Sequence, residues 1–550
     1  MPTAGTTLRN DGANSPKDRH IEDNPAGAHA DASVAVIVPP VVCHNLDPHT
    51  GIPFMPHMAA HFAGALRALG WRLQVIDCFG TAPHRRTLVG EFMLMGSTED
   101  DVIARLSAGI RIAFIYCRTV AEFIAVERLI DAIRTHRPDV KIALFENVQA
   151  VTSYALKPVA SLFLKRGCDA VITGEPETRA GAVAERMMNA APLDDVPGVV
   201  CWKDGEIVAT QDAEFCRDLD DLPRPAWELF DLHGYWSAGF AHAPVDGRRR
   251  FLPILTSRGC PYRCTFCIAP TVNPTWRAHS ADRVADDMQF FYETMGIEEF
   301  HVSDLDPTVS DKRTREISRE LIARALPVQW KLAQGTKIET IKSGETLELM
   351  KRAGCTFISF SPESGSTRML KIMNKPFDHA HGLRMAEKMH ALGIRSQAVF
   401  LAGVPGEQPE DRRMSADYAR KLVRAGVDEI SLVIFTPLPG AALADAITGY
   451  SHYSACTPSP NWREDYAVLT RYRYRMYWTL FSEKLRAHPR KFFTEIFRLM
   501  IGRFETKMEM SLFKQIKLYL LYYAPWLFRW RDRAPAAVMN PGRLHGESIS

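Results

Sequence analysis

The sequence predicts an α/β protein in three parts: a doubly wound parallel sheet near the N-terminus, a partial (β/α)6 barrel, and a mainly helical C-terminal region. Three observations predict it. Short β-branched runs alternate with helical patterns from Ala32 to about Met188, a strand-then-helix unit recurs from Phe251, and an amphipathic basic and aromatic pattern follows residue 440. The 550 residues exceed one ordinary core, and 46% hydrophobic with 24% charged residues is globular composition. A net charge of +3 recruits neither nucleic acid nor lipid globally, so either partner would need a local patch.

Residues 1–31 hold no apolar run, so they read as a mobile tail without an export signal, and a cytoplasmic location is expected. In the first domain, residues 32–188, Ser33–Val38, Leu73–Ile76, Arg111–Tyr116, Ile142–Phe145 and Ala170–Thr173 read as strands. Pro56–Leu69, Val120–His136 and Val159–Arg166 read as helices. Five such strands imply a flavodoxin-like order with a ligand crevice at their carboxyl ends, lined by Pro39–Pro53, Cys117–Thr119, Glu146–Ala150 and Gly174–Thr178. No G-x-G-x-x-G follows the first strand, so no dinucleotide is indicated. Residues 189–250 are a proline-rich linker, with a hairpin predicted around Asp204-Gly205 and an extended connector at Asp221–Trp227.

Eleven cysteines in so long a chain fit cytosolic thiols better than a disulfide framework. Cys260, Cys264 and Cys267 stand at C-x3-C-x2-C spacing, close enough for one loop to bring their thiolates together. Thiolates select iron–sulfur, copper(I) or zinc. Structural zinc needs a fourth ligand, and His279, heading a predicted helix, is poorly placed to be one. Three thiolates on a [4Fe–4S] cluster leave one iron open to a chelating substrate.

Residues 251–440 read as the barrel. Its strands are Phe251–Thr256, Glu299–Ser303, Val328–Ala333, Thr356–Ser361, Ile394–Leu401 and Glu429–Phe435. Helices are expected at Ala281–Met295, Lys312–Ala325, Gly344–Ala353, His379–Leu392 and Glu410–Ala425. Ser280 is the expected N-cap of the first, and Gly354 and Gly393 are expected stops.

The cysteine spacing, with Phe266 before the last cysteine and an apolar strand ahead of the first, resembles the signature of radical S-adenosylmethionine (SAM) enzymes. Glu363-Ser364-Gly365, Gly403-Val404-Pro405-Gly406-Glu407 and Pro437-Leu438-Pro439-Gly440 follow successive strands as in the cobalamin-dependent members. The helix from Pro56 to Leu66 and the strand end Thr173–Thr178 resemble their cobalamin-binding domain, so the likeness spans roughly residues 33–440. It implies a [4Fe–4S] cluster on Cys260, Cys264 and Cys267, SAM contacts from Phe266, Ser303, Asp304, Glu363, Ser364 and Gly403, and cobalamin contacts from Gly174 and Glu175. It also implies methyl transfer to an unactivated carbon or phosphorus of a small or lipid-like metabolite, through a 5′-deoxyadenosyl radical and methylcobalamin. An external one-electron reductant of flavodoxin or ferredoxin type would feed it. Three departures matter. Val302-Ser303-Asp304 replaces the superfamily's Gly-Gly-Glu, Ala402 replaces a branched residue before Gly403, and Asp47-Pro48-His49-Thr50-Gly51 falls one residue short of D-x-H-x-x-G, so cobalt is expected without a protein histidine. Two alternatives stay open: a cyclase or ring-rearranging enzyme of the same family, and a non-catalytic metal- or corrinoid-binding regulator.

From Arg471 to Arg533, 15 lysines and arginines face 5 acids, with aromatics interleaved. Residues 441–535 read either as a helical cap over the barrel mouth, the apolar face of Phe492, Phe493, Ile496, Phe497 and Met500 packed against the barrel, or as a peripheral contact with the inner membrane surface. No recognised nucleic-acid module is visible, so no nucleic acid partner is expected. The apolar run Leu518–Phe528 is too short for a span of about 20 residues. Residues 536–550 read as a second tail.

Overall fold

A computed structural model describes residues 33–513 except 45, 46, 48, 240, 242, 246 and 248. The two expected tails and the Leu518–Phe528 run lie outside the described residues. In the first domain, strands Val34–Val38, Leu73–Asp77, Ile112–Cys117, Lys141–Glu146 and Ala170–Ile172 form a parallel sheet in flavodoxin-like order, with Val34–Val38 between Leu73–Asp77 and Ile112–Cys117. Val34–Val38 and Ile112–Cys117 are buried along their whole length, because helices cover both faces. Phe62, on helix His57–Ala68, lies with its ring 4.2 Å from Phe145 and 4.9 Å from Phe114, which locks that helix to the sheet.

Two parts of this domain differ from expectation. The hairpin Val199–Lys203 and Glu206–Ala209, assigned to the linker, adds two antiparallel strands to the sheet edge beside Ala170–Ile172. A separate antiparallel sheet of Val41–His44, Phe92–Met95 and Arg86–Val89 arises inside what read as loop. Arg86–Val89 alternates between exposed and half-buried positions and buries no side chain fully, so it carries no apolar signal.

The barrel strands Phe251–Ile254, Glu299–Val302, Gln329–Thr336, Cys355–Glu363, Arg395–Ala402 and Glu429–Ile434 lie parallel and in sequence order. The first and last strands do not pair, so the barrel stays open along one side. Helices run over Ala281–Met295, Asp311–Ala323, Gly344–Arg352, His379–Ala391 and Pro409–Arg424, each within two residues of its predicted start and end. Ser280 caps the first as anticipated, its side chain accepting from the Arg283 N–H at 3.1 Å. A short helix, Thr367–Ile372, was not anticipated.

The C-terminal helix Tyr466–Ala487 packs on Pro409–Arg424 and the last strand. The Tyr472 hydroxyl donates to the Arg412 carbonyl at 2.8 Å, and Lys484 bridges the Asp428 carbonyl at 2.7 Å to Glu495 on helix Pro489–Met500. That second helix does not bury its apolar stripe. Phe493, Phe497 and Met500 are 62%, 62% and 78% exposed. Among the described residues no helix is long and apolar enough to cross a membrane.

Helix Leu232–Ala238 of the linker crosses the short helix Cys78–Thr81 so closely that a Cβ on Gly234 would strike the Gly80 carbonyl. Gly234→Ala is therefore expected to cost about 1–3 kcal/mol by overpacking, seen as a lowered Tm.

Candidate active site

A cavity of about 1130 Å³ lies where the barrel's strand ends, the first domain and the C-terminal helix meet. Cys260, Cys264 and Cys267 all line it. Their loop leaves the first strand through Gly259 at φ +74°, where a Cβ would collide with the Thr275 carbonyl, so the tight turn requires glycine. Burial pushes the thiols up, Cys260 to about 12 and Cys267 to about 11, with Cys264 also raised. The Cys267 sulfur accepts the Ala269 N–H at 3.4 Å. Among the described residues no group of His, Cys, Asp or Glu is arranged to hold a single metal ion. Three thiols opening into one cavity, one already accepting a backbone N–H, fit a multi-iron cluster, whose positive charge would offset the burial that now keeps them protonated.

Glu363 sits beside them at φ +62°, a left-handed conformation unusual for a non-glycine residue. A register shift between Phe360 and Glu363 accompanies it and aims the carboxylate into the cavity. Lys375 donates to Glu363 at 2.5 Å and lies 5.9 Å from the Phe266 ring centre. Burial alone would lower the Lys375 ammonium, but the Glu363 carboxylate holds it above the ordinary lysine range. On the other side of the cysteines, Asp306 accepts from Thr308 and Thr336 through one oxygen, while the other, Oδ2, is buried with no hydrogen-bond partner. Such an acceptor is matched by an ammonium or hydroxyl of a bound molecule.

Of the residues expected to meet SAM, Phe266 and Glu363 line the cavity with the three cysteines. The others are occupied elsewhere. Asp304 accepts from the Thr256 N–H at 2.7 Å and from the Thr256 and Ser257 hydroxyls at 2.6 Å each, which ties the first two strand ends together. Ser303 donates to the His301 carbonyl at 3.3 Å and lines a small separate pocket. The Ser364 hydroxyl meets Ser415 at 3.0 Å and accepts from the Ser366 N–H at 3.1 Å. Gly403 lies under Leu469 and Arg463, its N–H on the Glu407 carboxylate at 2.8 Å and its carbonyl on Arg463 at 3.0 Å.

The expected cobalamin contacts are also used for architecture. The Gly174 N–H donates to Glu146. Fully buried Glu175 binds the Arg277 guanidinium through both oxygens, at 2.8 and 2.9 Å, and faces Arg258 at 3.9 Å. Arg258 also pairs with Glu177. Gly174–Thr178 thus joins the first domain to the short ribbon Ser257–Arg258 and Arg277–Ala278, instead of lining a crevice. The first-domain wall of the cavity comes from Thr50–Ile52, Phe54, Thr119–Glu122, Val151 and Thr152. His49 lines it too, its ring 6.2 Å from that of Tyr477. Burial, reinforced by Arg473 against the pull of Asp47, lowers its imidazole to about 4, so it is neutral at pH 7.

Residues 254–419 match the Radical SAM superfamily. This stretch is a radical SAM domain. An uncharacterized methyltransferase of Pyrococcus horikoshii is 25% identical over 54% of this chain and 61% of its own length. The cytidylyl-2-hydroxyethylphosphonate methyltransferase of Streptomyces wedmorensis is 25% identical over 70% of this chain and 76% of its own. The fold is shared with the radical SAM methyltransferase TsrM of Kitasatospora setae, at TM-score 0.58 and 16% identity over 76% of this chain and 78% of that one. It is shared also with the cobalamin-dependent radical enzyme OxsB, at TM-score 0.56 and 16% identity over 81% and 57%. Sequence reasoning missed Lys375 in the radical SAM domain, because only the unanticipated helix Thr367–Ile372 returns it to the cysteines.

Two outcomes are expected. Arg277→Met leaves the buried Glu175 carboxylate short of its main partner and should cost about 3–5 kcal/mol, read as a lowered denaturant midpoint. Burial raises the Asp306 carboxyl from 3.8 to about 6, so its contribution to folding is full below pH 3.8 and is lost as pH rises through 6. Asp306→Asn keeps the acceptor for Thr308 and Thr336 and removes the charge. The cluster-free variant should gain on the order of 2 kcal/mol over wild type at pH 8 and lose the pH 4–6 slope in thermal melts.

Proposed function

We propose that this chain is a cobalamin-dependent radical SAM enzyme that transfers a methyl group to a small molecule. The observation that carries the reading is the shared cavity: the three cysteines and the loops at the carboxyl ends of the first domain's strands face one space. Cys260, Cys264 and Cys267 would hold the cluster, and the wall of Ile52, Phe54, Val120, Ala121 and Val151 would back a corrinoid. When bound, the cluster, SAM and corrinoid supply reductive cleavage of a sulfonium and a carrier for the methyl group. The chain's residues place these partners. Glu363, pinned by Lys375, offers a carboxylate to a diol or ammonium, the free oxygen of Asp306 offers a second acceptor, and Phe266 offers a flat face. The C-terminal helix lines the same cavity through Arg471, Tyr474, Arg475, Tyr477, Trp478 and Phe481.

Methyl transfer is favoured because relatives include methyltransferases for a cytidylyl phosphonate and for tryptophan. Cyclisation is the second reading, since an anaerobic magnesium-protoporphyrin IX monomethyl ester cyclase of Cereibacter sphaeroides is 26% identical over 53% of this chain. An external one-electron carrier would reduce the cluster. Among the described residues no cysteine is joined in a disulfide, which fits the cytoplasm. The exposed stripe of Phe493, Phe497 and Met500 is the surface a peripheral membrane contact would use.

The test is anaerobic reconstitution with cobalamin and methyl-labelled SAM against metabolite pools. Expected are about four irons per chain, 5′-deoxyadenosine after reduction, and a product heavier by the labelled methyl. Unlabelled product alongside 5′-deoxyadenosine would establish the cyclase reading instead. Cys264→Ala should lower 5′-deoxyadenosine formation to background while the protein stays folded by circular dichroism.

A further inference from the structure

One face of helix Tyr466–Ala487 carries Arg471, Tyr474, Arg475, Trp478 and Phe481, spaced by three or four residues, and all five line the cavity. Tyr474 and Trp478 are 59% and 76% exposed, so this face is the cavity's mouth. Three of the four acids that line the cavity are engaged: Glu122 pairs with Arg118 at 2.6 Å, Glu363 with Lys375 at 2.5 Å, and Glu429 accepts the Met508 N–H at 3.1 Å opposite Lys507. The fourth, Asp306, keeps one oxygen free but lies beside the cysteines among its threonines. Among the described residues the two mouth arginines have no such acid: Arg471 donates only to the Ala467 carbonyl of its own helix, at 3.2 Å, and Arg475 has no hydrogen bond or ion pair.

Two arginines four positions apart share one helix face, and a guanidinium fork is the donor that matches a carboxylate or phosphoryl group. The aromatic rings between and beyond them offer flat apolar surface, and the wall opposite is apolar, with Val41, Val42 and Ile52. A purely solvated helix face would have no reason to set its aromatics around the opening of a large cavity.

We infer that the substrate is an oxyanion with an apolar body: Arg471 and Arg475 hold its carboxylate or phosphoryl group at the mouth, and the body passes over Tyr474 and Trp478 toward the cysteines. The inference rests on the reading of this cavity as the reaction chamber, and it names the class of molecule admitted.

The test is calorimetry on the full-length, cluster- and cobalamin-loaded protein with three probes that share one ring system: 1-naphthyl phosphate, 1-naphthoate and neutral 1-naphthamide. At least one anionic probe should bind about tenfold or more tighter than the amide, and the gap should shrink as salt is added. The tighter of the two anions identifies the group. Arg471→Gln with Arg475→Gln should bring anion and amide to within about twofold, with iron content unchanged, while Arg475→Lys should retain part of the preference. Equal binding by wild type, or a preference that survives the double substitution, overturns the proposal. So does loss of bound corrinoid in the double variant, which would assign the arginines to the cofactor's phosphodiester. Absence of 5′-deoxyadenosine from the wild-type protein would instead sink the enzymatic reading, and it is measured separately from the anion preference.

Discussion

The geometry of the candidate active site depends on a cluster of four charges removed from water. Glu175 and Glu177 leave the end of the last parallel strand of the first domain, and Arg258 and Arg277 lie on the short ribbon that flanks the cysteine loop. Burial pushes the Glu175 carboxyl up, but the Arg277 hydrogen bonds and the Arg258 charge outweigh it and hold the group below the ordinary range. Burial also draws Arg258 down to about 10. Ions this dry contribute little net stability, since their mutual attraction mainly offsets desolvation. What they supply is a unique arrangement, because any sliding of the domains would leave a charge buried and alone. Arg258 is two residues before Cys260, so the contact that docks the domains also sets where the first thiol begins.

The polar residues at the barrel's strand ends divide into those that hold the scaffold and those that remain open to a ligand. Asp304 spends both oxygens on the end of the first strand, whereas Asp306, two residues on, keeps one free. Ser364 and Glu363 are neighbours. The serine serves the helix that follows, and the glutamate is turned into the cavity by a backbone conformation that costs about 1–3 kcal/mol. Lys375 offsets part of that cost by pairing with the carboxylate once it is there.

Elements with a strong period were legible in the sequence. The barrel helices repeat an apolar face, the first domain's strands are short runs rich in apolar residues, and these form where the pattern put them. The cysteines were legible because their spacing is local. The roles of the other candidates were not, because they depend on what arrives from distant sequence. Nothing near Glu175 announces Arg277, and nothing near Gly403 announces the cover of Leu469 and Arg463. The hairpin at Asp204-Gly205 was legible in its local turn signal, but its sheet partner was not, and Lys375 was obscured for the same reason. A short helix returns the lysine to the thiols, and a sheet edge captures the hairpin.

An open barrel must be sealed if its contents are to be dry, and the C-terminal region supplies the seal at two levels. Helix Tyr466–Ala487 covers the strand ends through Leu469, which lies over Gly403. Farther along, Lys507 enters the barrel, donating to the Ala333 carbonyl at 2.8 Å above the Phe357 ring, while the next N–H binds Glu429. Burial brings the Lys507 ammonium down to about 8 although Glu429 opposes it. The face that Tyr466–Ala487 turns to the cavity is mixed, with Tyr474, Trp478 and Phe481 interleaved with Arg471 and Arg475, so one helix brings apolar cover and positive charge to the same opening.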